Sequence, residues 1–375
     1  MNQFKKIFVC MTTFYLLFVL SLSAQAVIYT VSNEVQSNHV IAFEVDKRNG
    51  RLSELGSFPT QGTGTGAPIG NQAALATDAS DRWLFVTNAG DGSVTSFRIQ
   101  PEGLEFVNKI ESGGTSPISV TVFGTLVYVL NEGSGNEGDA PEFKYDNISG
   151  LQFNPSGELE PIENSTRIID NTQLTAPAQI GFNKSGTVLL VTEKATDTLT
   201  TFVMQANDTP ADQPLKRPSA VPTPFGFEFG DRDYVFITEA NGGAQGVTAS
   251  YRVNRETGAV SGLVDLIDMG LATCWTVLSK DQTIGYSVNT GTDSLSLYRI
   301  NFDGTMESFF NNPDRVVNTG AAPRDAVLTQ NNRFFFVLNN GDGEIQGFRV
   351  RRDGSINRNG QPMSVPTSVT GLVSR

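Results

Sequence analysis

Residues 82–99 read RWLFVTNAGDGSVTSFRI, and residues 333–350 read RFFFVLNNGDGEIQGFRV. The two stretches align without a gap and share half of their positions, although 251 residues separate them. Each consists of an apolar run, a short turn that contains Asp-Gly, and a second run with an aromatic residue near its end. Asp-Gly between β-branched and aromatic runs is typical of a tight β-hairpin. The passage therefore predicts a β-hairpin that the chain uses repeatedly.

The hairpin occurs seven times, at intervals of roughly 50 residues. Its copies cover residues 28–45, 84–99, 127–153, 189–204, 235–253, 285–300 and 334–350. A short strand precedes most copies and a fourth strand follows many of them, as in RRDGSINRNG. Four short strands repeated at about 40–50 residues are typical of a β-propeller blade. We therefore predict an all-β, seven-bladed β-propeller that occupies residues 27–375 as a single domain.

The two ends of the chain indicate how the ring closes. The stretch VIYTVSN at residues 27–33 matches the second strand of the other blades, so blade 1 lacks its innermost strand. The stretch VPTSVTGLVS at residues 365–374 resembles SPISVTVFG at residues 116–124, which is an innermost strand. We predict that this C-terminal strand completes blade 1, because closure removes two exposed sheet edges.

The first 26 residues are predicted to be a signal peptide. Lys5 and Lys6 precede an apolar run over residues 7–22, and Ala24-Gln25-Ala26 forms a small-residue cleavage site before Val27. The alternative is an uncleaved membrane anchor, but the run is shorter than the ~20 residues of a spanning helix. We expect an exported protein, periplasmic or secreted, with no stable membrane insertion after cleavage.

Composition excludes several classes of function. The formal charge is −12, and it becomes −14 without the two leader lysines, so the surface should repel nucleic acid and anionic membranes. Cys274 is the one cysteine outside the leader and is predicted to be a small buried hydrophobic residue. His39 is the single histidine, which limits metal and general-base chemistry. We predict no metal site, no cofactor and a monomer.

Blade geometry predicts where a site would lie. Adjacent strands of a blade are antiparallel, so the start of the inner strand and the end of the second strand share one face of the disc. We call this the near face; the turns NKSG, GDRD and SKDQ lie on the opposite, far face and are predicted to be structural. The residues predicted at second-strand ends are Asn33, Asn88, Asn131, Glu193, Glu239, Asn289 and Asn339. The residues predicted at inner-strand starts are Gln72, Ser119, Gln179, Gly226, Trp275, Asp325 and Ser368.

Glu193 and Glu239 depart from the repeat. Asparagine suits the start of a hairpin turn, because it tolerates left-handed geometry and bonds to nearby backbone. A carboxylate at the same position needs a partner or a role. The acidic insertion at residues 132–146 faces the same side and allows three interpretations: a lid, a loose Ca²⁺ site, or a solvated loop.

The chain resembles the lactonase family of seven-bladed propellers, which includes 6-phosphogluconolactonase and carboxymuconate cyclase. The motifs that carry the resemblance include PAQIGFNKSG, VTEK, PFGFEF and NTGTDSLSLYRI. The resemblance implies lactone ring opening or closing by His, Arg and Glu in the channel. Of these, Glu239 and the Pro323-Arg324 pair are retained. Ala178 stands where the hydrolase has a histidine, and residues 223–226 (Thr-Pro-Phe-Gly) replace its Gly-Pro-Arg-His.

Two functions follow as hypotheses. In the first, the protein hydrolyses a lactone or similar cyclic ester: Glu239 or Glu193 acts as base, Asp325 assists, and Arg324 holds a carboxylate or oxyanion. The residues predicted to contact the substrate are Gln72, Asn88, Gln179, Trp275 and Asn289. In the second, the propeller is a non-catalytic scaffold that binds a small ligand, a glycan or a protein partner. The fold hosts both kinds of function.

Overall fold

The structure is a computed structural model that describes residues 26–309 and 317–375. Apart from Ala26, the predicted signal peptide lies outside the described residues. No helix among the described residues is long and apolar enough to cross a membrane.

The described residues form seven antiparallel sheets of four or five strands each, which confirms the predicted seven-bladed β-propeller. The inner strands of blades 1 to 7 are Thr370–Ser374, Leu75–Thr77, Ser116–Phe123, Pro177–Phe182, Pro224–Phe229, Thr273–Leu278 and Pro323–Leu328. The second strands are Val27–Val31, Trp83–Asn88, Leu126–Glu132, Val188–Glu193, Tyr234–Glu239, Ile284–Asn289 and Phe334–Asn339.

The outer half of each blade completes the sheet. The third strands are His39–Val45, Ser93–Gln100, Asn147–Phe153, Thr198–Val203, Gln245–Arg252, Ser294–Ile300 and Glu344–Val350. The outer strands are Leu52–Pro59, Gly103–Glu111, Leu159–Pro161, Leu215–Pro218, Asp265–Leu271, Met306–Ser308 and Ile356–Arg358. Short strands extend blades 3, 6 and 7 at Arg167–Ile168, Val317–Asn318 and Met363–Ser364. Within residues 26–309 and 317–375, the helical elements are the α-helix Pro141–Lys144 and 3₁₀ turns at Asp231–Asp233, Asn241–Gly243 and Thr290–Thr292.

The C-terminal strand closes the ring as predicted. It pairs antiparallel with Val27–Val31, with Ile28 opposite Ser374 and Val31 opposite Thr370. The backbone N–H of Arg375 also donates to the carbonyl of Val27 at 3.0 Å. The first and last strands of the propeller therefore belong to one sheet.

The core is distributed over the contacts between neighbouring blades. Seven buried apolar clusters correspond to the seven blade–blade contacts. In the second strand of blade 1, Val27, Tyr29 and Val31 pack toward blade 2, whereas Ile28 packs toward blade 7. This alternation follows from the two-residue period of a strand. Both faces of each sheet are thus buried without a central apolar core.

The inner strands begin with an irregular step. In five blades a non-glycine residue with positive φ lies at or just before this step: Ala73, Ala176, Thr223, Ala272 and Ala322. The register to the second strand then shifts in blades 3 to 7, for example between Pro177 and Gln179. Such bulges redirect side chains at strand ends.

Candidate functional site

The inner strands surround a central cavity of about 460 Å³. Its lining reaches Lys184 and Lys280, which are exposed on the far face. Gln72, Gln179 and Asp325 lie at its opposite, near end. All three are at least nine-tenths buried, so the cavity opens toward the far face.

A segment ahead of blade 2, residues 69–73, crosses the near end of the cavity; we call it the plug segment. The carbonyl of Gly70 accepts a hydrogen bond from Lys194 Nζ at 2.6 Å. The carbonyl of Asn71 accepts one from Trp275 Nε1 at 2.8 Å, and its Oδ1 accepts one from Thr370 Oγ1 at 3.0 Å. The segment therefore contacts blades 1, 4 and 6 across the ring.

Gln72 fills the centre of this closure. Its backbone N–H donates to the carbonyl of Ala178 at 3.1 Å, and its Nε2 donates to the carbonyl of Thr276 at 3.0 Å. A Cβ atom on Gly226 would collide with the Gln72 amide oxygen. Ala178 and Gly226 are the positions where the resembled hydrolase carries histidines. At position 226 the Gln72 amide thus occupies the space that a side chain would need.

This geometry corrects three expectations. The sequence predicted a site at the near face, but the cavity is closed there and opens on the far face. Gln72 was predicted to start the inner strand of blade 2, but that strand is only Leu75–Thr77 because the preceding residues leave it to cross the ring. Lys184 and Lys280 belong to far-face turns that were predicted to be merely structural, and both reach the cavity.

Glu228 is the functional candidate that sequence reasoning missed. It lies in the inner strand of blade 5, lines the cavity and is half-buried. Burial raises its pKa to about 7, against an attraction to Lys280 and Lys184 that lowers it. A group that titrates near neutrality is suited to general acid–base chemistry. The available signal was a lone charge inside the inner-strand run PFGFEF.

Asp325 is the predicted catalytic residue that the structure places in the cavity wall. It is buried, and its oxygens accept the backbone N–H groups of Ala326 at 2.7 Å and Leu372 at 2.9 Å. Burial raises its pKa to about 8; the two hydrogen bonds lower it, and the negative charge of Glu228 raises it further. Asp325 also ties blade 7 to the closing strand.

Gln179 bridges blades 4 and 5 in the same way as Gln72 bridges blades 2 and 6. Its Nε2 donates to the carbonyl of Phe227 at 3.1 Å, and its Oε1 accepts the N–H of Phe227 at 2.7 Å. The amide therefore pairs with an inner strand as a neighbouring backbone would. It borders the cavity, but both ends of its amide are engaged.

Glu193 lies outside the cavity lining and is fully buried. It accepts hydrogen bonds from the hydroxyls of Thr196, at 2.5 Å, and Thr200. Lys216 Nζ lies 3.6 Å from its Oε1. Burial raises the pKa of Glu193 above its usual value. Its contact with a hydroxyl seven residues ahead repeats what Asn88 does with Thr95 at 2.9 Å.

Glu239 is also fully buried and outside the cavity lining. It accepts hydrogen bonds from the Tyr251 hydroxyl and the backbone N–H of Val221, each at 2.6 Å. Burial raises its pKa, opposed by these bonds and by the charge of Arg217. Both glutamates thus have partners inside the blades, and the structure does not bring them together with Asp325.

Trp275 and Arg324 lie at the near face. Trp275 is 2% exposed and packs on Phe225, with ring centroids 4.9 Å apart, beneath the plug segment. Arg324 is half-buried and does not line the cavity. Its charge acts on Cys274, whose thiol is buried as predicted and has a pKa raised by that burial to about 12. The thiol is therefore protonated at neutral pH.

Asn88 and Asn289, predicted to contact substrate, are fully buried cross-strand ties. Asn88 Nδ2 donates to Ser93 Oγ at 3.0 Å, and Asn289 Nδ2 donates to Ser296 Oγ at 2.9 Å. Neither residue lines the central cavity.

The 132–146 insertion is held against the near face. Asp146 is buried and accepts the N–H of Gly133 at 2.9 Å and the hydroxyl of Thr175 at 2.9 Å. Glu137 pairs with Lys144 at 2.6 Å. Within residues 26–309 and 317–375, no group of three or more His, Cys, Asp or Glu side chains is placed to hold a metal ion.

The chain matches a known protein family over more than half of its length. Residues 19–139 and 275–373, more than half of the 375-residue chain, match the family model described as lactonase, 7-bladed beta-propeller. No curated protein matches the chain.

Solved structures share the fold at low identity. A candidate 6-phosphogluconolactonase from Bacteroides uniformis is 16% identical with a TM-score of 0.74, covering 94% of this chain and 99% of its own. The periplasmic gluconolactonase of Pseudomonas aeruginosa is 15% identical with a TM-score of 0.72, covering 93% and 99%. A protein from Lactobacillus plantarum is 17% identical with a TM-score of 0.73, covering 94% and 99%.

Proposed function

The chain belongs to the lactonase family of seven-bladed β-propellers, and on that premise we propose that it is an exported hydrolase that opens a lactone or similar cyclic ester in the central cavity. The observation that carries the proposal is Glu228: a carboxyl group in the cavity wall with a pKa of about 7. Half of such groups are ionised at neutral pH, so Glu228 both accepts and returns a proton in the working range.

The proposed chemistry uses four charged residues of the cavity. Glu228 takes a proton from water as the water oxygen forms a bond to the lactone carbonyl carbon. The ring C–O bond then breaks, and the departing oxygen receives a proton from Asp325, which is protonated at neutral pH because its pKa is about 8. Lys184 and Lys280 at the mouth attract the carboxylate of the opened product.

A second arrangement of the same function uses the residues predicted from the sequence. There Glu239 or Glu193 is the base and Arg324 holds the oxyanion at the near face. This arrangement requires the plug segment to move away from the near face, because Trp275 lies beneath the segment and Gln72 is part of it.

A non-catalytic scaffold that binds a small ligand, a glycan or a protein partner is the competing function. Its support is that neither position 178 nor position 226 carries a histidine and that Gln72 occupies the space beside Gly226.

One experiment separates these proposals. The purified protein is assayed against a panel of sugar and aliphatic lactones, with thermal-shift measurement on the same compounds. If the Glu228→Gln variant loses turnover and the Glu239→Gln variant keeps it, the result supports the cavity mechanism. The reverse result supports the near-face arrangement. A compound that raises the melting temperature without turnover supports the scaffold.

A further inference from the structure

A second cavity lies on the far face where blades 7 and 1 meet. Its volume is about 440 Å³, and the buried side chains of Val45 and Phe334 contribute an apolar part of its wall. Its charged residues are Lys47, Asp81, Arg333 and Arg375. Three cations against one carboxylate is unusual for a chain with a formal charge of −12. A volume of this size accommodates a small organic ligand.

Arginines from separate parts of the sequence surround this cavity. The turn over residues 46–51 packs onto Phe334, because Gly50 has no Cβ to collide with that ring. Gly360 of blade 7 lies next to Arg51, because a Cβ atom added to Gly360 would be 3.7 Å from Arg51 Cγ. The N–H of Val350 donates to the carbonyl of Arg333 at 2.9 Å. These contacts unite a set of exposed residues that we call the arginine patch: Arg48, Arg51, Arg333, Arg351 and Arg352.

Carboxylates in the same turns are engaged with their own backbone. Asp46 accepts the N–H of Arg48 at 2.7 Å, and Asp353 accepts the N–H of Ser355 at 3.0 Å. Both carboxylates also attract a neighbouring arginine, Arg48 for Asp46 and Arg351 for Asp353, and so offset part of the positive charge. The five arginines of the patch nevertheless outnumber these two carboxylates. The patch is therefore a positive area on a chain that is acidic overall, and it was not visible in the sequence because its members are dispersed.

The lining of the cavity points to the chemical class of the ligand. Guanidinium groups pair with planar carboxylates in two-point geometry, and arginine outnumbers lysine here. Thr329, Gln330 and Asn331 add hydroxyl and amide groups to the wall, and Phe334 adds an apolar surface. An inorganic anion would leave most of the cavity empty. A sugar ring that carries a carboxylate uses all three kinds of surface.

We propose that this cavity binds a hexuronate unit and that the arginine patch holds neighbouring carboxylates of the same acidic polysaccharide. The inference is independent of catalysis in the central cavity, since the two cavities share no lining residue. Repetition of the anion along a polymer matches the spread of the arginines over several turns.

The test measures binding of polygalacturonate by the purified protein, with galacturonic acid, dextran and polyphosphate as parallel ligands. We expect polygalacturonate to bind, galacturonic acid to compete for it, and dextran not to bind. The Arg333→Glu and Arg351→Glu variants should each weaken binding about tenfold or more, because a surface charge reversal replaces attraction by repulsion. The control Arg299→Glu changes an exposed arginine of blade 6 and should leave affinity within about twofold.

Three outcomes would overturn the proposal. They are equal binding of dextran, unchanged affinity in both patch variants when their melting temperatures match the wild type, and tight polyphosphate binding that galacturonic acid does not compete. The last would mean a general polyanion surface without a sugar site. Arg375→Gln, which changes the cavity wall without reversing a charge, should lower affinity for galacturonic acid more than for the polymer.

Discussion

The side-chain amide of Gln72 occupies the space that a Cβ atom on Gly226 would need. One residue precedes blade 2 and the other lies in blade 5, so the contact spans the ring. The closed near end of the cavity therefore requires that position 226 carries no side chain.

This contact predicts coupling between the two positions. Gly226→Ala should lower the free energy of unfolding by about 1–3 kcal/mol, because the added methyl group displaces the plug segment. In a Gln72→Ala background the same change should cost less, with a coupling energy of about 0.5–3 kcal/mol. The cost does not vanish, since the carbonyl of Cys274 also lies 2.8 Å from the added atom. Urea denaturation of the four proteins measures the cycle; additive effects would contradict the contact.

Removal of residues 366–375 should prevent the propeller from folding. The deletion removes the strand that pairs with Val27–Val31 and so exposes the channel-side edge of blade 1. It also removes Leu372, whose backbone N–H donates to Asp325. We expect loss of the cooperative thermal transition and of soluble yield. Replacement of Arg375 alone by Gln is the matched control and should keep a transition near that of the wild type. A deletion variant that still unfolds cooperatively would show that closure is dispensable.

The fold could be predicted from the sequence because its information is local and repeated. A hairpin between two short strands recurs in every blade, with the turn Asn-x-Gly-Asp-Gly in blades 2 and 7, and the match between residues 365–374 and 116–124 indicates closure. The site could not be predicted in the same way. Repeat register places Gln72 at a strand start, but its role depends on a crossing segment whose contacts are with distant blades.

Glu193 and Glu239 illustrate the same limit. Both residues differ from the asparagine of the repeat, which made them candidates. Each glutamate, however, has a partner in the same or the neighbouring blade. Lys216 lies near Glu193 and Arg217 acts on Glu239, because consecutive residues of a strand point to opposite faces. Glu228, the single charge in its inner strand, lines the cavity together with Asp325.

Replacement of Ala322 by glycine should stabilise the folded protein. It has φ of +47°, a left-handed conformation that costs a residue with a Cβ roughly 1–2 kcal/mol. Ala322→Gly removes that strain but adds freedom to the unfolded chain, so we expect a net stabilisation of about 0.5–1 kcal/mol. Ala326→Gly, in the strand that directly follows Ala322 but without positive φ, is the control and should destabilise. Melting temperatures of both variants decide the sign.

Asp325 should make stability depend on pH. Its pKa is about 8 in the folded protein against a usual value of 3.8, so folding favours the protonated form. The contribution of Asp325 to the free energy of unfolding is therefore fully present below pH 4 and is lost as the pH rises toward about 8. Asp325→Asn should cost about 1–3 kcal/mol at pH 5, because its NH₂ group faces a backbone N–H. The gap to the wild type should narrow at pH 9; a constant gap in urea midpoints would contradict the raised pKa.

Glu228 should control the pH dependence of turnover if the central cavity is the active site. A base with a pKa of about 7 must be ionised to accept a proton from water, so kcat/KM should first rise with pH; it should fall again above about pH 8, where Asp325 loses the proton that it donates. Glu228→Gln should lower kcat/KM by roughly 100- to 10,000-fold and remove this rise, because the amide cannot accept the proton. Lys280→Met, which removes an attraction that lowers the pKa of Glu228, should move the midpoint of the rise to higher pH.

Glu239→Gln should leave the profile unchanged, because the carboxylate of Glu239 accepts hydrogen bonds from Tyr251 and Val221 outside the cavity. A profile that shifts in Glu239→Gln and not in Lys280→Met would move the reaction to the near face and require the plug segment to open.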